Sequence, residues 1–390
     1  MIKTLASLTL GLGIALGTVA LPAFSAALRP VSIDRMESAG AALGLDDQLW
    51  GRGGDRGDKR SLLASIDNSI EYLRSPKAAE VYRSYPVQGI TQDRVLRSLV
   101  RFRELLLASN SPEELRTAVG REFVLYQSVG RDNKGTVFFT GYYEPIYQAS
   151  RTPTPEFRYP LYRQPSDFEN WPKPHPTRIQ LEGADGLQGA SGLLRGAEIV
   201  WLRDRLEAFL VQIQGSAQLQ LTDGTTMTVG YDSGTDYPYT SIGRELIKDG
   251  KLPADGLTMP VLIDYFRRNP LELSNYIPRN SRFIFFKETN GAPAMGSINV
   301  PVTPERSIAT DKSLMPPGAL ALIHTRVPFP NNKGQMEQRL VSRYVLDQDT
   351  GSAIRGPGRV DYFMGTGKEA GDRAGVIGWT GELYYMLLKQ

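Results

Sequence analysis

Two spacings of apolar residues divide the chain near Val137. Before it, apolar positions recur every three or four residues. Leu62 to Arg74 and Gln92 to Ala108 both carry this helical period, and "RVLRSLVRFRELLLAS" is its clearest instance. "SPEELRTAVGREF" adds the start signals of another helix, with Ser111 as N-cap, Pro112 in the first turn and Glu114 three residues on. That helix is expected to end near Gly120. Ala27 to Lys59, with "GRGGDRGDK", reads as loop.

From Val137 onward the period shortens. "TVFFTGYYEPIY", "AEIVWL", "AFLVQIQGSAQLQL", "TMTVGYD", "RFIFFKE", "ALALIHTRV" and "RLVSRYVLD" are short, rich in β-branched and aromatic residues, and separated by Gly, Pro, Asp and Asn. The stretch from Phe209 to Tyr231 alternates on both sides of "DG" and predicts a hairpin. Short helices are expected at about Ser241 to Lys248 and Thr258 to Asn269, the second stopped by Pro270. The pattern describes a helical N-terminal region followed by a mainly β assembly, a closed barrel with a second β-rich lobe.

Composition narrows the chemistry. The 390 residues have the hydrophobic and charged fractions of an ordinary globular protein, and a net charge of only +3. No basic stripe of the kind that binds nucleic acid is present. There is no cysteine, so disulfides, thiolate metal sites, a thiol nucleophile and thiol-linked lipid are all excluded. The two histidines, His175 in a Pro-rich loop and His324 in an apolar strand, cannot make a three-His metal site. His324 reads as a core histidine. Residues 1–25 have a Lys3-bearing start, an apolar run and the small residues of "AFSA", which predicts a signal peptide and export. Catalysis, if present, falls to carboxylates.

Four candidate stretches remain. In "FFTGYYEP", Gly141 allows close approach to the backbone, and the flanking tyrosines suit sugar rings or simply a packed turn. Gln212, Gln214, Gln218 and Gln220 recur at period two, as a sugar-binding or merely solvated strand face. Asp311, Asp347 and Asp349 sit beside turns, where aspartates commonly bond their own backbone. Asp361 differs, because Val360, Tyr362 and Phe363 around it are strand formers. A carboxyl held on a strand among apolar groups has a raised pKa and can act as an acid near neutral pH. "GTGKEAG" has the wrong spacing for a phosphate loop.

Taken in order, "FFTGYYEP", "FLVQIQGSAQLQLTDG", "DYPYTSIGRELI", "NSRFIFFKE", "RSIATDKSLMPPG" and "DTGSAIRGPGRVDYFMGTGKEAGDRAG" resemble the membrane-bound lytic murein transglycosylase A family with its C-terminal 3D module. The resemblance covers about Val137 to the C-terminus. It implies a double-psi β-barrel built from 137–143 and 282–390, with the 3D module over about 303–390. A β-rich domain over 144–281 is inserted, and 26–136 precede as the helical region. It further implies cleavage of the β-1,4 bond between N-acetylmuramic acid and N-acetylglucosamine, leaving 1,6-anhydromuramyl ends. Asp361 is then the catalytic acid/base, and Asp349 and Asp311 support it. Thr140, Gly141, Tyr142, Gln214, Gly215 and Ser216 line the substrate groove. No metal and no cofactor is implied. The expected partners are peptidoglycan glycan strands and cell-wall enzyme complexes, with a monomer in the periplasm, associated with outer membrane or wall but not a lipoprotein.

Two features depart from the family pattern. No Cys follows the leader, and the "GPGR" turn before Asp361 is extended. Three rival readings stay open. One is a glycan-binding protein on the same barrel without bond cleavage. Another is a hydrolase using Glu144, Asp311 or Asp349 as second carboxylate. The last is an aspartic protease pairing "DTG" at Asp349 with "DSG" at Asp232.

Overall fold

The computed structural model describes residues 27–31, 43–51 and 57–390. The expected signal peptide lies outside the described residues. Helices α1 (Lys59–Leu73), α2 (Pro76–Arg83), α3 (Gln92–Ala108) and α4 (Pro112–Glu122) follow the helical period. Leu62, Ile66, Ile70 and Leu73 form the buried stripe of α1, and Val95, Leu99, Phe102 and Leu106 that of α3. Ser75, Thr91 and Ser111 cap their helices by accepting from the N–H three residues on. The α4 helix runs past Gly120 to Glu122, and the Glu114 carboxylate reaches back to Asn110 N at 2.8 Å. The same region also contributes strands β1 (Leu28–Val31) and β2 (Phe123–Ser128), paired antiparallel. The reading of Ala27 to Lys59 as loop missed β1, because four residues are too few to show a period.

Strand β3 (Val137–Glu144) leads into a six-stranded sheet. Its members are β4 (Ile146–Ser150), β5 (Tyr159–Tyr162), β6 (Glu198–Leu202), β7 (Ser216–Leu221), β8 (Thr226–Gly234) and β9 (Ile284–Glu288), in spatial order β5-β6-β4-β7-β8-β9. Helices α5 (Arg178–Glu182), α6 (Arg205–Gln214), α7 (Ile242–Lys248), α8 (Met259–Arg268) and α9 (Leu273–Tyr276) belong to the same stretch. Ser241 and Thr258 cap α7 and α8, and α8 stops at Arg268, just before Pro270.

Two expectations are corrected here. "FLVQIQ" is the second half of α6 rather than a strand. Leu206, Phe209, Leu210 and Ile213 recur at helical spacing, Asp204 caps the start and Gly215 ends it at φ 85°. The alternation along Gln212 and Gln214 is incidental, so the true hairpin is β7–β8 alone. Strand β9, placed with the barrel from sequence, instead pairs with β8, with Val229 opposite Glu288 and Tyr231 opposite Phe286. Its buried Phe286 joins the core of the second sheet.

The remaining strands are β10 (Ser307–Ala309), β11 (Leu320–Pro330), β12 (Met336–Asp349), β13 (Arg359–Thr366) and β14 (Gly378–Leu388). They run in the order β14-β11-β12-β10-β13-β3, and a β14–β3 pairing closes these six into a barrel, with β2 and β1 extending it beyond β14. The stretch from Asp349 to Gly375 is polar and Gly-rich. It holds β13 and helix α10 (Gly367–Ala374). "GTGKEAG" spans the end of β13 and the first turns of α10, and Lys368 pairs with Asp372 at 2.5 Å on the surface. Gly141 of β3 lies directly under this helix, since a Cβ there would stand 2.8 Å from Ala374 Cα.

One buried ion cluster ties the N-terminal segment to the barrel. Arg306, at the entrance to β10, is fully buried. Its five N–H groups donate to Asp46, Asp58 and the Tyr344 carbonyl. Removing one member of such a cluster leaves buried charge unpaired. Arg306→Ala is therefore expected to lower the unfolding free energy by about 3–5 kcal/mol in urea titration. Breaking the exposed Arg97–Asp93 pair should cost less than about 1 kcal/mol. Equal effects at the two places would refute the role given to the cluster.

Candidate active site

Asp361 lies in the middle of β13, between two neighbours. Parallel pairing with β3 sets it opposite Thr140, and antiparallel pairing with β10 sets it opposite Ala309. Ala309 is in turn opposite Asp349 on β12, and Thr140 opposite Gly378 on β14. Asp349, Ala309, Asp361, Thr140 and Gly378 thus form one row across five barrel strands. Neighbouring strands are about 4.8 Å apart, so the two aspartates are about 10 Å apart at Cα, with only a methyl group between them.

The Thr140 hydroxyl donates to Asp361 Oδ1 at 2.7 Å and accepts from Arg359 Nη2 at 3.1 Å. Burial pushes the Asp361 carboxyl above its ordinary range, against the lowering effects of the Thr140 hydrogen bond, the Arg359 charge and the Tyr362 backbone N–H. Burial lowers the pKa of Arg359, and nearby Arg244 and Arg131 push it the same way. Tyr239 lies close enough to feel the Asp361 charge. Burial raises its hydroxyl, Asp361 raises it further, and Ser241 and Arg244 oppose. Tyr239 and Arg244 come from the segment before and within α7. The second lobe therefore brings charged and polar groups near this end of β13.

Asp349 is held rather than free. Oδ2 accepts from the Tyr142 hydroxyl at 2.8 Å, and Oδ1 from Ser297 N and Thr350 N at 2.9 and 2.8 Å. Burial raises its pKa, and those donors together with Lys312 oppose the rise. Asp311 has another task. Burial alone would raise it, but donors from Ser313 and Gly356 outweigh that and hold its carboxyl below the ordinary range. Its bond from Gly356 N, at 2.8 Å, pins the "GPGR" turn that leads into β13. Asp347 is wholly buried, accepting from Thr310, Lys312 and Tyr385.

The other expected site residues divide by strand alternation. Thr140 and Tyr142 share the Asp361 face of β3, although the Tyr142 hydroxyl is spent on Asp349 and its ring packs on Phe363. Gly141 points the opposite way, to α10, so the missing Cβ serves helix packing. Gln214, Gly215 and Ser216 lie where α6 turns into β7. Gln214 Oε1 accepts from Tyr143 N at 3.0 Å, a contact that joins the lobes at β3. Glu144 is buried and accepts from Gln218 and Thr366. It sits four residues along β3 from Thr140, about 13 Å away. Sequence reasoning missed Arg359, Arg131, Tyr239 and Arg244. Arg359 had a signal, being two residues before Asp361 and so on the same strand face.

Comparison with known proteins agrees with this architecture. Residues 138–287 match the MltA specific insert domain, and residues 306–387 match the 3D domain. The chain is 31% identical to membrane-bound lytic murein transglycosylase A of Escherichia coli K12 over 263 residues, 67% of this chain and 68% of that protein. A solved membrane-bound lytic murein transglycosylase from Agrobacterium tumefaciens superposes with a TM-score of 0.68 at 27% identity, covering 93% of this chain and 98% of that one. E. coli MltA with bound chitohexaose superposes at 0.66 and 26% identity, covering 90% and 96%. The chain belongs to the membrane-bound lytic murein transglycosylase A family.

The raised Asp361 pKa also affects stability. A carboxyl that holds its proton more tightly folded than unfolded contributes stability below the unfolded pKa. That contribution is lost as pH rises through the folded one. Asp361→Asn removes the buried charge while keeping an acceptor for Thr140. Its urea midpoint is expected above wild type at pH 7, with the gap closing as pH falls toward the ordinary carboxylate range. A midpoint at or below wild type at pH 7 would count against the buried-charge account.

Proposed function

We propose that the protein cleaves the β-1,4 bond between N-acetylmuramic acid and N-acetylglucosamine in peptidoglycan and leaves a 1,6-anhydromuramyl end. The observation that carries this reading is Asp361, a carboxyl raised by burial, with Thr140 as its side-chain donor and Tyr239 of the second lobe close enough to feel its charge. Family membership supports it, as does the chitohexaose bound in the E. coli relative.

In this mechanism Asp361 starts protonated. It gives its proton to the glycosidic oxygen as the bond from C1 of the muramyl sugar to that oxygen breaks. The C6 hydroxyl oxygen of the same sugar then bonds to C1, and its proton passes to Asp361, which is restored. No water enters the balance. Ordinary glycosidases need a second carboxylate to act as nucleophile or to activate water. Here the internal hydroxyl replaces it, an advantage of about several kcal/mol from proximity. Thr140 fixes the carboxyl plane, and Arg359 fixes Thr140. Asp349, already accepting three hydrogen bonds, is a positioning residue for Tyr142 and the barrel edge. Its engagement, and the distance of Glu144, both favour the lyase over hydrolysis to reducing ends.

The finer architecture follows the same reading. The barrel is of double-psi type, supported by the parallel pairs β10–β12 and β13–β3 set among antiparallel ones. The insertion runs from about 144 through β9. The protein works exported, on wall glycan strands, as a monomer. Among the described residues no helix is long and apolar enough to cross a membrane.

Purified peptidoglycan digested with wild type should give anhydromuramyl products in mass spectra, and Asp361→Asn should reduce the rate by at least about a hundredfold. Reducing-end products would mean hydrolysis, and binding without cleavage a glycan-binding protein. Thr140→Val removes a hydrogen bond that lowers the Asp361 pKa, so the acid form should persist to higher pH. The alkaline limb of the pH–rate profile is expected to move upward. A downward or absent move would exclude Thr140 as the partner that tunes Asp361.

A further inference from the structure

Two further guanidiniums, Arg131 and Arg244, bear on Arg359, which lies two residues before Asp361, and the reaction just described uses only Arg359, indirectly. Arg131 and Arg359 both stand over the Phe138 ring, each 5.2 Å from its centroid. Arg244 approaches from α7 in the other lobe, and its charge bears on both Arg359 and Tyr239. The three come from separate parts of the chain: the loop after β2, strand β13 and the insertion.

The "GPGR" turn builds this arrangement. Asp311 accepts from Gly356 N, and the Ser128 hydroxyl donates to the Pro357 carbonyl at 2.6 Å. Phe138 N donates to the Gly358 carbonyl at 2.9 Å. A Cβ at Gly358 would stand only 2.5 Å from Arg131 N, so this glycine lets the Arg131 loop lie flat against the turn. This turn therefore seats Arg131 next to Arg359.

Among the described residues, neither Arg131 nor Arg244 has an ion-pair partner. Asp132, next in sequence to Arg131, is engaged by Lys134 N, Thr136 N and the Thr136 hydroxyl in its own loop. Asp361 is thus the single carboxylate that bears on Arg359, against two further cations. Like charges repel, and an incoming anion relieves them. Guanidinium is also the group best shaped to hold a carboxylate through paired N–H donors.

We propose that Arg131, Arg244 and Arg359 form a carboxylate-binding edge of the groove, which takes the anionic group carried by the muramyl sugar. The proposal rests on murein as substrate. A muramyl sugar bears a lactyl ether whose carboxyl is either free or linked to a peptide with carboxylates of its own. N-acetylglucosamine bears no such group. An edge of this kind beside Asp361 tells the two sugars apart and sets the muramyl C1 against the acid. Arg359 is already tied to Thr140, so Arg131 and Arg244 carry most of the discrimination.

The test is binding by Asp361→Asn protein, which holds substrate without turnover, with and without Arg131→Gln and Arg244→Gln together. Both arginines are exposed, so the fold tolerates the change. Three ligands are compared at low and high salt: peptide-bearing murein strands, strands stripped of peptide, and uncharged chitohexaose. The double variant is expected to lose about tenfold in affinity for murein and most of its salt dependence, with chitohexaose within twofold. A loss concentrated on stripped strands assigns the lactyl carboxylate, and one concentrated on peptide-bearing strands assigns the peptide carboxylates. An equal loss on all three ligands, or none on murein, overturns the proposal. Product analysis of the wild type separately reports whether murein is cleaved, so failure of that reading is distinguishable from failure of this one.

Discussion

The barrel closes because one strand, β3, is hydrogen-bonded along both edges, to β13 on one side and β14 on the other. This strand comes before the second lobe in sequence, while its two partners come after it. The lobe is thus inserted between pieces of a single closed sheet, and the chain must return for the barrel to form. The same pairing puts Thr140 opposite Asp361. A shift of β3 by one residue would turn Thr140 and Tyr142 into the core and Gly141 toward the groove. The packing of α10 on Gly141 opposes that shift, since no other residue fits beneath Ala374.

The electrostatics of the site follow from where that row of residues lies. Asp361 and Asp349 are each raised by burial, yet their surroundings differ. Asp349 is gripped by Tyr142, Ser297 and Thr350, whereas Asp361 has Thr140 as its side-chain donor. Two similar carboxyls two strands apart thus differ in how many donors hold them. The buried charge of Asp361 costs stability at neutral pH. Elsewhere the Arg306 cluster and the apolar barrel core hold the fold together.

Much of this was legible beforehand. The helices at α1, α3, α4, α7 and α8 were readable because capping residues and apolar spacing agree. Strands β3, β4, β6 to β9, β11 and β12 showed through their β-branched and aromatic runs, while the short β5 and β10 did not. Asp361 stood out because it is a carboxylate among strand formers. Where local signals conflicted, the reading failed. "FLVQIQ" satisfies both periods, and the cap residues Asp204 and Gly215 decided for helix. "GKEAGDRA" was not read as a helix, since its glycines are poor helix formers, yet it packs as one against β3. Strand β9 was assigned to the wrong sheet, since an apolar run does not state its partner.

By itself, the sequence determined most of the kinds of element and the chemistry available, and it marked Asp361 as a candidate for acid work. It excluded thiol chemistry and a three-His metal site by composition alone. Tertiary structure decided which residues meet. Thr140 and Asp361 are 221 positions apart, and Arg131, Arg244 and Arg359 come from three separate segments. Such contacts depend on strand register and on how two lobes dock, and these are set by pairing over long separations rather than by any local pattern. The pKa of Asp361 belongs to the same class. It is raised by burial, and burial exists only once the barrel has closed.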